Sequence, residues 1–105
     1  MNELVFMVKG SSSKPYEVVF LKEGDHVTAL CDCMAGKNGQ HCKHRFRILE
    51  GSQQDIVSDN AGEVAEVLIW LVGSDLEEAM TEISNATTPA EVTAAKKKAA
   101  RIMRV

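Results

Sequence analysis

Cys31-Asp32-Cys33-Met34-Ala35-Gly36-Lys37-Asn38-Gly39-Gln40-His41-Cys42-Lys43-His44 is the stretch that decides how this chain folds. It holds all 3 cysteines of the 105-residue sequence. An odd number cannot close into internal disulfides, and clustered thiols in a reducing compartment point to metal before redox. Cys31-x-Cys33 and Cys42-x-His44 are two pairs of soft or borderline donors, the set that a tetrahedral structural zinc takes. On an extended segment, residues two apart point the same way, so Cys31 and Cys33 present both thiols together. On a regular helix the same separation would divide Cys42 from His44. Cys42 is therefore expected just before a helix, with His44 in its first turn.

With all four positions filled by protein, no water is left to activate. The site is expected to hold one Zn2+ in a structural role. A redox Cys-x-Cys pair would leave Cys42 and His44 without a part to play. Cys is often buried, so burial as a small hydrophobe could account for one of the thiols, but it does not account for the paired spacing. His41 is an alternative to His44, awkward because it adjoins Cys42. His26 reads as a solvated turn residue.

Upstream, Leu4 to Val8 is wholly apolar and reads as a strand covered on both faces. Gly10 to Pro15 is a loop signal, and Tyr16 to Leu21 a second strand. Val27 to Cys33 reads as a third, with Val27, Ala29, Cys31 and Cys33 on one face. Met34 to Gln40 turns the chain back. A two-turn helix follows from Cys42 and stops at Gly51.

At this point the chain resembles the SWIM-type zinc finger. That family has Cys-x-Cys, a variable loop, then Cys-x-His, here Cys31, Cys33, Cys42 and His44. Cys42-Lys43-His44 matches its usual Cys-Lys-His, and the upstream strand, Gly10-Ser11-Ser12 and Tyr16-Glu17-Val18 resemble its preceding hairpin. The likeness covers about residues 4–50. Arg45-Phe46-Arg47 departs from the aliphatic residues usual after the histidine. The resemblance implies a role in binding DNA or protein, not a reaction.

The second half is helical. Asn60 with Glu63 reads as a capping box before the stripe Val64, Val67, Leu68, Leu71 and Val72. Ser74 with Glu77 reads as another, before Leu76, Ala79, Met80 and Ile83. Either Gly73 separates two helices or one bent helix runs from 61 to 84. Thr88-Pro89-Ala90-Glu91 starts a last helix reaching about Arg104, with Val92, Ala95, Ala99 and Ile102 as its apolar stripe. The fold expected is α+β: a zinc-stabilised module over residues 1–51, then a helical extension over 52–105 that packs on itself or on the module.

Hydrophobic residues make up 45% of the chain and aromatics 5%, so a core must be mostly aliphatic. No run approaches the ~20 apolar residues of a membrane span. The N-terminus lacks a basic leader and a cleavage pattern, so a cytoplasmic location is expected. Net charge is −3, but it is segregated: residues 51–87 carry eight Asp/Glu and no Lys/Arg, and residues 88–105 carry five Lys/Arg and one Glu. Opposite blocks in one short chain are expected to meet; the alternative is a basic arm for an anionic partner.

Lys37, Lys43, Arg45 and Arg47 gather around the zinc motif as candidate phosphate contacts. The resemblance makes DNA the first partner suggested, with a protein close behind; the acidic balance and scarce aromatics oppose nucleic acid. The sequence offers no nucleophile–base set, open metal site or phosphate loop, so neither an enzyme nor a small-molecule substrate is expected.

Overall fold

A computed structural model describes residues 2–10, 12–37 and 42–103. Three antiparallel strands come first: β1 (Asn2–Val8), β2 (Tyr16–Glu23) and β3 (His26–Cys31), in the order β1-β2-β3. Among the described residues five α-helices follow: α1 (Met34–Lys37), α2 (Lys43–Leu49), α3 (Val64–Leu71), α4 (Asp75–Asn85) and α5 (Pro89–Ile102). The α+β class and the order of elements are as the sequence reading has them.

Alternation along the strands sorts the sheet into two faces. Phe6, Val8, Val18, Phe20, Val27, Ala29 and Cys31 are buried under the helices. Phe6 meets Phe20 edge to face, with centroids 5.9 Å apart. The other face is not covered as the apolar run Leu4–Val8 suggested: Val5 and Met7 are only half-buried, and Leu30 is exposed. One apolar cluster runs from Phe6 through Phe46, Val67 and Leu76 to Met103, so sheet and helices share a core.

Both edges of the sheet are closed. Along β1, Val57 N–H donates to the Met7 carbonyl at 2.8 Å and Lys9 N–H to the Asp55 carbonyl at 2.8 Å. Ser58 Oγ accepts from Met7 N–H at 3.1 Å, and Asn60 Nδ2 donates to the Val5 carbonyl at 2.7 Å. Along β3, Ala29 N–H donates to the Met103 carbonyl at 2.8 Å, and Val27 N–H to Asp75 Oδ1 at 3.2 Å. The other carboxylate oxygen of Asp75 lies 2.5 Å from His26 Nδ1, so His26 ties the start of α4 to β3 instead of standing alone in a turn.

The punctuation residues act unevenly. Gly51, at φ 92°, ends α2: its N–H donates to the Ile48 carbonyl and Ser52 N–H to the Arg47 carbonyl, both at 2.9 Å. That pair of bonds satisfies carbonyls the helix leaves open, and the positive φ suits glycine. Gly73, at φ 78°, separates α3 from α4, which resolves the choice between one bent helix and two. Thr88 Oγ1 accepts from Glu91 N–H at 3.2 Å and caps α5 as expected. The other two capping boxes do not form. Asn60 is drawn away to the β1 edge, and a 3-10 turn over Ala61–Glu63 precedes α3. Ser74 Oγ turns back to donate to the Leu71 carbonyl at 2.8 Å.

The stripe on α3 is rotated from the one the sequence suggested. Val64, Val67 and Leu71 are buried, but Trp70 takes the place of Leu68 and Val72, which are exposed. Trp70 is anchored by Nε1 donating to Glu66 at 3.1 Å, and its carbonyl accepts from Lys22 Nζ at 3.1 Å. The α4 stripe is as read, with Leu76 and Ala79 buried and Met80 and Ile83 packed beside them. Lys98 pairs with Glu82 at 2.8 Å, which holds the ammonium above its usual range, and Lys96 sits 5.9 Å over the Phe46 ring. Among the described residues basic α5 thus meets acidic α4 at one ion pair, and Arg104 lies outside them. Among the described residues no helix is long and apolar enough to cross a membrane.

Candidate metal centre

β3 delivers Cys31 at its last residue, where the sheet alternation turns the thiol inward. Cys33 is no longer on the strand, as the sequence reading had it, but at the bend that opens α1; its carbonyl accepts from Lys37 N–H at 2.9 Å. Cys42 stands in extended conformation (φ −134°, ψ 148°) immediately before α2, and His44 lies in the first turn, both as the pair spacing required. The return loop 38–41, with His41, lies outside the described residues.

All four side chains are buried, and their donor atoms lie within 4.8 Å of one another. Bond lengths of about 2.3 Å to sulfur and 2.0 Å to nitrogen put tetrahedral ligand atoms roughly 3.5–3.8 Å apart. His44 Nδ1 is 3.7 Å from Cys31 Sγ, inside that range. The three cysteines are free thiols. This tetrahedral-like site is consistent with a single structural zinc bound by Cys31, Cys33, Cys42 and His44.

The surroundings fit the charge of such a centre. Three thiolates and a neutral imidazole around a dication leave one net negative charge. Arg45 supplies the opposite charge: its residue is 1% exposed, Nε donates to Cys42 Sγ at 3.2 Å, and Nη1 donates to the Ala29 carbonyl at 3.1 Å. A guanidinium suits this place because its planar fork can address two acceptors at once. The thiols feel it. Cys42 is held down to about 4, first by the hydrogen bond from Cys31 and then by the Arg45 backbone N–H and charge, against the upward push of burial. Cys31 is pushed up, because it gives its hydrogen bond to Cys42 and is itself buried.

His44 is held from the other side by Tyr16, whose ring centroid is 4.9 Å away, tilted by 46°. Its Nε2 is buried and has no hydrogen-bond partner among the described residues. Gly10 makes room there. A Cβ on Gly10 would stand 2.7 Å from Tyr16 Cδ2 and 3.1 Å from His44 Nε2, so any larger residue must displace one ring or the other.

Arg45 is the main correction to the sequence reading. As one of four candidate phosphate contacts it was expected at the surface; the fold turns it onto the metal site. Being three residues beyond Cys42 lets its side chain fold back over the start of α2. The signal was present, since a buried centre with three thiolates calls for a nearby cation. Lys37 and Lys43 are exposed, and Arg47 is half-buried in an ion pair with Asp55 at 3.3 Å. No family model, no curated protein and no solved structure matches the chain.

Proposed function

We propose that this chain is a non-catalytic binding module of the SWIM type, whose zinc is purely structural and whose partner is another protein. The burial of Arg45 carries the choice of partner. It removes the central member of the basic group, and Asp55 neutralises Arg47, so among the described residues the exposed lysines Lys37 and Lys43 remain beside the centre. That is little attraction for a phosphate backbone in a chain of net charge −3. A closed Cys3His set does no chemistry of its own and instead replaces core that a small sheet cannot assemble. Binding of this kind contributes on the order of 10 kcal/mol to folding. Reduced thiols are in keeping with a cytoplasmic setting.

DNA remains the second reading, favoured by the exposure of Lys37 and Lys43 on the segments flanking the ligands. A salt series separates the two. Zinc-loaded protein is titrated against a labelled duplex, beside affinity capture of partners with and without chelator. The protein reading expects no saturable duplex binding, and a captured protein that is released when zinc is removed. Duplex binding with a log–log salt slope of about −2 to −3, as two or three neutralised phosphates give, and reduced by Lys37→Gln and Lys43→Gln, would establish DNA instead.

A further inference from the structure

Helix α3, VAEVLIWL, is apolar on more sides than the fold uses. Leu68, Ile69 and Val72 are 39%, 64% and 71% exposed. Leu68 and Val72 also line a groove of about 540 Å³ between α3 and α4, with Leu49, Leu71 and Met80 among the lining residues. That volume is within the range of ligand clefts, ~300–1,000 Å³. Glu50 and Glu77 stand in its lining too, and neither is in an ion pair with any described residue.

We propose that this groove receives a short amphipathic helix of a partner protein, with leucine-like residues at i, i+3 or i+4, and i+7 and with lysines or arginines flanking them. The proposal rests on the protein-partner reading above. Charge complementarity sets the flanks, because the whole stretch 51–87 is acidic and without a single Lys or Arg. The absence of an open strand at the groove sets the conformation. Its walls are helices α3 and α4 and the end of α2, and both sheet edges are already bonded, so an added extended segment finds no ladder to join there. A helix satisfies its own backbone and needs only side-chain pockets.

A second copy of this chain is a poor occupant. Its basic surface is α5, where Thr93, Ala94, Lys97, Lys98 and Arg101 are exposed and none is a large apolar residue. An anionic lipid surface is repelled by the acidic lining.

The test uses the zinc-loaded 105-residue chain and a labelled 14-residue Leu/Lys peptide of helical periodicity, with a scrambled peptide of the same composition as control. The ordered peptide is expected to bind saturably, about ten-fold or more tighter than the scrambled one, the factor that about 1.4 kcal/mol gives. Leu68→Ser with Val72→Ser should cost about ten-fold more, while zinc content and circular dichroism stay unchanged because both residues are exposed. Glu50→Gln with Glu77→Gln should weaken binding several-fold and flatten its salt dependence.

Equal binding of the two peptides, or binding that survives the Leu68/Val72 variant, would overturn the proposal. So would a wild-type dimer by sedimentation that the same variant turns into monomer, since the groove would then be filled by a second copy. If the peptide fails while chelator-sensitive capture of a partner persists in the Leu68/Val72 variant, the groove is the wrong surface and the protein-partner reading stands. The duplex titration judges that reading separately.

Discussion

Replacing Arg45 by Met keeps the length of the side chain and removes its charge and donors. The residue is 1% exposed and bonds to both Cys42 Sγ and the Ala29 carbonyl. A hydrogen bond to a charged group contributes ~1.5–3 kcal/mol, and a carbonyl left buried without a donor costs ~1–3 kcal/mol. Together these give about 2.5–6 kcal/mol, a range centred on the ~3–5 kcal/mol usual for removing one partner of a buried ion pair. In a domain of this size that lowers Tm by more than about 10 °C. Zinc affinity should fall by about 10–100-fold, as it does when an outer partner of a ligand is lost. Arg45→Lys keeps the charge but not the fork, so it should fall between the two. Affinity is read by competition with a chromogenic chelator, and stability by thermal circular dichroism. Arg45→Met with wild-type zinc affinity and Tm would refute the counter-ion role. If that variant instead lost only duplex binding, Arg45 would be a phosphate contact after all.

Four further outcomes are expected. Purified protein should carry one zinc per chain, and Cys31→Ser or Cys42→Ser should lose it, as metal analysis will tell. Chelation should melt sheet and helices in one transition by circular dichroism, because Met103 and Asp75 bond to β3 directly; helices that outlast the sheet would contradict a shared core. Gly10→Val should crowd Tyr16 and His44 and reduce zinc affinity, whereas Gly24→Ala, at a turn with open space around it, should spare the metal and cost only backbone strain. Acid should release the metal, because the centre is held by thiolates and a neutral imidazole and protons compete with the ion for each of them. Zinc content that stays unchanged as the pH is taken well into the acid range would contradict thiolate ligation.

The ligand set was legible because its spacing is local: two donors on each of two short segments, with a helix that must begin between Cys42 and His44. The α5 start was legible for the same reason, since Thr88, Pro89 and Glu91 act on one another within a single turn. What the sequence hid depends on contacts between distant segments. Asn60 has the residue type of a helix cap, but the open edge of β1 offers its amide a carbonyl that only the fold brings near. Leu68 and Trp70 compete for the inward side of α3, and periodicity cannot rank them when nearly every residue of the helix is apolar. Arg45 looked like a surface cation because arginines usually are; its destination follows only when the charge on the metal ligands is counted along with their number.

The closure of the β3 edge has a consequence for what happens when the metal is lost. Of the groups that cover this edge, Arg45 is held in place by a ligand cysteine and Met103 ends the helix that packs beside it. Once the centre opens, Cys42 is no longer fixed in place by an ion, so the anchor of Arg45 loosens and with it the donor to the Ala29 carbonyl. A strand with unpaired N–H and C=O groups and an alternating apolar sequence such as HVTALC is then a template for pairing with other chains. Metal-depleted protein should therefore not simply unfold but assemble into β-rich aggregates, at a rate that rises with protein concentration and that zinc, added early, suppresses.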